Sequence, residues 1–305
     1  TTMLRYGYIG LGHLGANLAM NLVKAGYQVT VTDLNKDNAK KLIAAGAIWA
    51  DTPKAVAENS DAVITCLPSP KVSMAVLAGK NGILEGLKKG GTWIENSTNG
   101  KEEIEAMAKI ASEHGVETLE APVTGGVHKA AQGTITVLVG GKKDLFETHL
   151  PALQKLGGEI FHMGDIGSAS VIKVITNMLA FIHLVACGEA LMLAKRGGLD
   201  LAQAFHAIKA SSGNSFVHET EGQVILNGSY NINFTMDLAC KDLGFAAKFG
   251  REFGVPLKLA GLTEQIFIEG RQAYGGGAWS SQIVKLLEDA LHTDLRAPGF
   301  PAELE

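Results

Sequence analysis

The most constraining stretch lies near the start of the chain, where Gly7-Tyr8-Ile9-Gly10-Leu11-Gly12-His13-Leu14-Gly15 sets a short apolar run against three closely spaced glycines. A strand that turns at Gly10 and enters a helix by Gly15 is the opening of a βαβ unit. Each glycine has its own reason: Gly10 permits the tight turn, Gly12 lets backbone N–H groups approach a pyrophosphate, and Gly15 lets helix and strand pack closely. The helix N-terminus then faces the negative charge. In a chain with 37 glycines the pattern alone could equally be a structural turn. The next apolar run decides the matter, because Val29-Thr30-Val31-Thr32 ends in Asp33, close to the ~20-residue separation expected of a carboxylate that accepts hydrogen bonds from ribose. Gly10, Leu11, Gly12, His13, Leu14, Gly15 and Asp33 are therefore expected to hold a dinucleotide. Asp33 would repel a 2′-phosphate, and Leu34-Asn35 offers no arginine to offset it, with Lys36 a weak substitute, so NAD is expected over NADP.

Short apolar runs continue to alternate with amphipathic stretches: Gln28–Thr32, Ala62–Cys66, Thr92–Glu95, Glu117–Leu119 and Ile135–Val139, with a last one at Ile160–Met163. Such alternation predicts a Rossmann-type, doubly wound α/β fold with a mostly parallel sheet covered on both faces. After the loop Gly164–Ser168 the pattern becomes helical, over Val171–Ala194, Leu201–Ala210, Asp237–Phe253, Leu257–Tyr274 and Ser280–Leu291. Two domains are expected, a cofactor domain over residues 1–165 and an all-α substrate and oligomerisation domain over 166–305. Ligands of open α/β sheets bind at the carboxyl ends of strands, which adds Leu67, Pro68, Ser97 and Thr98 to the cofactor candidates. Pro68 could instead simply end a strand, and Ser97 could cap a helix over Lys101–Ile110.

Composition excludes several classes. With 27 basic and 31 acidic residues the chain has no electrostatic footprint for nucleic acid. Cys66, Cys187 and Cys240 have no zinc or redox spacing, which fits the cytoplasm or another reducing compartment, and the nine histidines form no cluster, so no metal is expected. Hydrolase motifs are absent from the sequence. The run Val171–Ala194 is long enough to span a membrane, but Lys173, Asn177, His183 and Glu189 lie inside it. A helix buried between domains or subunits, in a homodimer or homotetramer and not in a membrane, explains the same residues.

Two further blocks carry chemistry. In Glu120-Ala121-Pro122-Val123-Thr124-Gly125-Gly126, a hydroxyl and two unobstructed backbone N–H groups suit a carboxylate, although a plain turn before Val127–Gln132 fits equally. Lys173 and Asn177 share one face of an apolar helix, where a lysine either has a role or reaches water along its stem. Together with the opening loop, the pattern Gly167…Lys173…Asn177 and the block Lys241-Asp242-Leu243-Gly244, the chain resembles, over nearly its whole length, the β-hydroxyacid dehydrogenase family, which is related to 6-phosphogluconate dehydrogenase. Glu120 and Thr124 depart from the family's usual aspartate and serine, keeping the charge and the hydroxyl.

The resemblance implies roles. Lys173 becomes the proton donor or acceptor at the alcohol oxygen, Asn177 its positioning partner, and Thr124, Gly125 and Gly126 the carboxylate site. Phe234 and Lys241 line the cleft for cofactor and substrate, and Asp242 is a cap or structural partner. The implied reaction is NAD-dependent, reversible oxidation of the primary alcohol of a small, 3-hydroxyisobutyrate-like 3-hydroxy acid to the β-semialdehyde. The alternatives are reduction of tartronate, glyoxylate or succinic semialdehyde by a member of the same family and, more remotely, an inactive NAD-responsive binding protein.

Overall fold

The computed structural model describes residues 3–305 and divides into two compact units, the first ending at Lys173 and the second spanning Val174–Glu305.

The first unit is built on nine described strands: β1 (Tyr6–Ile9), β2 (Val29–Thr32), β3 (Ile48–Trp49), β4 (Ala62–Thr65), β5 (Thr92–Glu95), β6 (Glu117–Glu120), β7 (Val123–Thr124), β8 (Thr136–Gly140) and β9 (Glu159–Gly164). Their order is β3-β2-β1-β4-β5-β6-β8-β7, with β9 on β8. Pairing is parallel from β3 through β6, whereas β8 runs antiparallel to both β6 and β7 and parallel to β9. All four residues of β1, β2, β4 and β5 are buried, as continuous apolar runs in a doubly covered sheet require. The two-residue alternation of strand side chains sorts them into two cores. Tyr6, Tyr8, Ala62, Ile64 and Ile94 join Leu18 and Leu22 of the helix Gly15–Lys24 in one core. Ile9, Val63 and Trp93 join Ile104 and Met107 of the helix Lys101–Glu113 in the other.

The helix Ser168–Arg196 begins in the first unit and carries into the second. Helices Leu201–Lys209, Phe216–Asn227, Met236–Phe253 and Lys258–Tyr274 follow it. Asp200, Ser215 and Thr235 cap three of them, each side chain accepting from an N–H in the first turn. Leu184, Leu191, Phe205, Ile225, Leu243 and Phe267 form the core of this unit. The expected helix over Ser280–Leu291 is instead a 3₁₀ segment, Ser280–Val284, running into a short helix, Lys285–Ala290. The helix Ser168–Arg196 is long and apolar enough to cross a membrane by length and composition. It places Ile175, Leu179 and Leu193 on one face, 38%, 44% and 76% exposed.

Candidate active site

The dinucleotide loop separates its three glycines by what surrounds them. Gly10 has φ +98°, and a Cβ there would lie 2.1 Å from the carbonyl oxygen of Cys66. At Gly15 a Cβ would lie 2.0 Å from the carbonyl oxygen of Gly10, so helix and strand meet backbone to backbone. Gly12 faces open space, with nothing within 4 Å of the position a Cβ would take. That is the cradle a pyrophosphate needs. The helix behind it has no acidic residue in its first turn and no side-chain cap at Leu14, which leaves its N-terminus available to an anion. The carbonyl of the exposed His13 accepts from Asn17 Nδ2 at 2.8 Å.

Asp33 stands just past β2, and its carboxylate is organised by the chain. Leu11 N donates to Oδ1 at 2.9 Å, while Asn35 N and Asn38 Nδ2 donate to Oδ2 at 3.0 Å each. The bond from Leu11 ties the carboxylate to the glycine loop. Lys36 lies with its ammonium 5.3 Å from the centre of the Trp49 ring, within cation–π range.

At the carboxyl ends of β4 and β5, Ser97 is a brace and not a helix cap. Its hydroxyl accepts from Leu67 N at 2.7 Å, its own N–H donates to Glu95 Oε1 at 3.0 Å, and the N-cap position of the helix Lys101–Glu113 falls to Gly100. Thr65 Oγ1 donates to the same Glu95 oxygen at 2.8 Å and accepts from Trp93 Nε1 at 2.9 Å. Leu67 and Ser97 are thus held by a buried polar network, and Pro68 and Thr98 follow directly from these fixed points. After Pro68 the chain turns into the helix Pro70–Ala78, capped by Ser69. The network is invisible in sequence, because Thr65, Trp93 and Glu95 read as ordinary strand residues.

Thr124 ends β7, paired with Thr136 of β8, and hands the chain to two glycines with φ +130° and +95°. Only glycine adopts such angles in succession without strain. The Lys129 stem packs near Gly125 and the His128 ring near Gly126. Neither residue stands out in the sequence, although their place directly after the glycine pair is the available signal. Burial, and secondarily Lys129, pushes the His128 pKa down, favouring a neutral ring.

Glu120 ends β6 and is 1% exposed. Its carboxylate accepts from Gly167 N and Ser170 N, at the start of the helix Ser168–Arg196. Burial raises its pKa, and those backbone bonds oppose the rise. Lys173 lies one turn beyond Ser170 and is 7% exposed.

The second unit holds the remaining candidates. Asn177 Nδ2 donates to Asp242 Oδ2 at 2.7 Å, and Asp242 is 1% exposed on the helix Met236–Phe253. Lys241, on the same helix, has its ammonium 3.8 Å from the other Asp242 oxygen. Phe234 precedes that helix; its ring lies 6.0 Å from that of Phe181, and its carbonyl accepts from Ser280 N at 2.8 Å. Asp242 therefore fixes the amide of Asn177 and flanks Lys241. The described residues contain no group of three or more histidine, cysteine, aspartate or glutamate side chains able to hold a metal ion.

Comparison with known proteins finds two family models that together span most of the chain. Residues 5–164 match the family model for the NAD binding domain of 6-phosphogluconate dehydrogenase, and residues 167–287 match the model for the NAD-binding region of NADP-dependent 3-hydroxyisobutyrate dehydrogenase. The chain is 35% identical over 286 residues to 2-(hydroxymethyl)glutarate dehydrogenase of Eubacterium barkeri, covering 93% of this chain and 95% of that one. It is 34% identical over 268 residues to mitochondrial 3-hydroxyisobutyrate dehydrogenase of Mus musculus, covering 86% and 80%. A crystal structure of 3-hydroxyisobutyrate dehydrogenase from Salmonella typhimurium superposes with a TM-score of 0.87 at 29% identity, covering 93% of this chain and 100% of that one.

Proposed function

Because this chain belongs to the β-hydroxyacid dehydrogenase family and is an NAD(P)-dependent hydroxyacid dehydrogenase, we propose that it oxidises the primary alcohol of a small 2-substituted 3-hydroxypropanoate to the β-semialdehyde. The reverse reduction is feasible at the same site. The two relatives compared by sequence are named for substrates that share this frame, a hydroxymethyl group and a carboxylate on one carbon, and differ in the third substituent. The observation that carries the reading is Lys173, an amine kept 7% exposed in the unit that also holds the Thr124–Gly126 turn.

When bound, the nicotinamide cofactor would supply the hydride acceptor. Thr124 donates its hydroxyl to the substrate carboxylate, and the Gly125 and Gly126 N–H groups approach the same anion. Lys173 takes the hydroxyl proton as the carbonyl forms. Asn177, its amide oriented by Asp242, positions the alcohol end. Asp33 selects NAD by accepting from the ribose hydroxyls and repelling a 2′-phosphate.

A screen of 3-hydroxy acids and of tartronate, glyoxylate and succinic semialdehydes with both cofactors, followed at the nicotinamide absorbance, tests the substrate class. Lys173→Ala should lower kcat by about 10² to 10⁴-fold with NAD affinity nearly unchanged. Lys173→Arg should not rescue it, since guanidinium does not release its proton. Near wild-type turnover in Lys173→Ala overturns the mechanism. Asp33→Ser should shift kcat/KM toward NADP, and no shift removes the selectivity role. Self-association through the face bearing Ile175, Leu179 and Leu193 belongs to the same proposal. Light scattering that reports a monomer rejects it.

A further inference from the structure

Glu120 ends the strand that leads into the Thr124–Gly126 turn, yet its side chain is committed elsewhere. It is 1% exposed, and its two oxygens accept from Gly167 N and Ser170 N. These are among the N–H groups that a helix start leaves without intrahelical partners. The helix so capped carries Lys173 one turn further on. The sheet makes room for this reach. Gly140 is the residue of β8 paired with Glu120, and a Cβ there would lie 2.9 Å from both Cγ and Cδ of Glu120. Any side chain at 140 would press the carboxylate out of place.

The segment between Glu120 and Thr124 is fixed as well. Ala121 N donates to the Glu95 carbonyl at 2.7 Å, and the Pro122 carbonyl accepts from Leu138 N at 2.9 Å. One carboxylate is therefore the joint between a rigid strand that presents the turn and the helix that presents the lysine. We propose that Glu120 is a positioning residue for the reaction, setting the height and rotation of the helix start so that Lys173 is held in register with the Thr124–Gly126 turn. The proposal rests on the reading of Lys173 as the proton-transfer group. It gives Glu120 a task that charge alone would not perform, since both oxygens must reach their separate N–H partners.

The test is a double-mutant cycle on kcat in the full-length protein. Glu120→Gln keeps the shape but replaces one acceptor oxygen with an amide NH2, a donor that cannot accept from a backbone N–H. It should lower kcat by up to about 10²-fold, the scale set by misplacing a reacting group by about 1 Å. NAD affinity should be unchanged. In the Lys173→Ala background the same substitution should cost less than about twofold, because an effect transmitted through Lys173 has nothing left to act on. A residue that merely stabilised the fold would lower Tm alike in both backgrounds and leave this coupling at zero. Glu120→Asp, which keeps the charge but shortens the reach, guards against poor folding of the glutamine variant and should fall between it and wild type. Full kcat in both Glu120 variants, or equal losses with and without Lys173, overturns the proposal while leaving the reading of Lys173 intact. Wild-type turnover in Lys173→Ala brings down that reading and this proposal together.

Discussion

Two glycine turns serve the two halves of the proposed chemistry, and they need glycine for different reasons. In the dinucleotide loop, Gly10 and Gly15 are required by neighbouring backbone, with carbonyl oxygens 2.1 Å and 2.0 Å from where a Cβ would sit. At the Thr124–Gly126 turn the contacts are looser: the nearest atoms to a Cβ on Gly125 are side-chain carbons at 3.6 Å, and on Gly126 a His128 nitrogen at 3.0 Å. There the backbone angles themselves, φ +130° and +95°, exclude other residues. The first loop is a packed joint inside the domain. The second is a backbone conformation that only glycine adopts without strain, bordered by side chains and not by backbone.

The sharpest way to break this contrast is Gly15→Ala. The new methyl would meet the Gly10 carbonyl, which cannot rotate aside, so the helix Gly15–Lys24 must shift from β1. A loss on the order of 3 kcal/mol in stability is expected, with NAD binding lost in whatever remains folded. Urea denaturation measures the first and titration the second. A variant as stable as wild type would show that the joint is not packed as described.

Acid should weaken the first unit without any substitution, from the opposite end of β1. His149 is 3% exposed beneath β1, bridging the Tyr6 hydroxyl at Nδ1, 2.8 Å, and Thr92 Oγ1 at Nε2, 3.2 Å. Burial lowers its pKa from 6.5 to about 4. The unfolded chain therefore takes up a proton on falling below pH 6.5 that the folded chain refuses until about pH 4. Stability present above pH 6.5 is lost across that window, by about 3 kcal/mol at about 1.4 kcal/mol per unit. His149→Gln should flatten the fall in Tm between pH 7 and 4.5. An unchanged slope would assign the acid sensitivity to other groups.

At the second turn, Gly125→Ala should cost about 1 to 3 kcal/mol through strain alone. Its functional effect should appear in KM for the hydroxy acid and spare the affinity for NAD. Raised Kd for NAD with KM unchanged would mean that the turn serves the cofactor and not the carboxylate.

The contrast also explains what could be read from the residues. Spacing placed the Gly10–Gly15 loop and Asp33 because both are fixed by geometry local to one βαβ unit. The buried runs of β1, β4 and β5 were legible for the same reason, and their side-chain alternation between two cores follows from strand geometry. What escaped depends on partners distant in sequence. β3 and β7 are two residues each, too short for any period, and the antiparallel turn of β8 against β6 is set by the chain path after Gly126. The helix Phe216–Asn227 scatters Val217, Val224, Ile225 and Leu226 among His218, Gly222 and Gln223 with no clean stripe, because it is buried on several sides. The tasks of Ser97 and Glu120 lie in bonds to Leu67 and to Gly167 and Ser170, and no pattern local to those residues announces them.

The smallest change in stability should come from Gly12, the glycine proposed to let the pyrophosphate approach. Gly12 has no atom within 4 Å of a Cβ position and lacks a positive φ, so nothing in the chain itself demands glycine there. Gly12→Ala should leave stability within about 0.5 kcal/mol of wild type, since an exposed methyl in open space neither clashes nor strands a polar group. It could even gain slightly by restricting the unfolded chain. Yet the same methyl would stand where backbone N–H groups must come close to a pyrophosphate, and NAD affinity should drop while KM for the hydroxy acid, measured at saturating cofactor, holds. Gly15→Ala and Gly12→Ala would then separate two demands that one short motif combines, folding at Gly15 and phosphate approach at Gly12. If Gly12→Ala binds NAD as tightly as wild type, the open face of the loop is not the phosphate site, and the anion must be held by the strand ends at Leu67 and Ser97 instead.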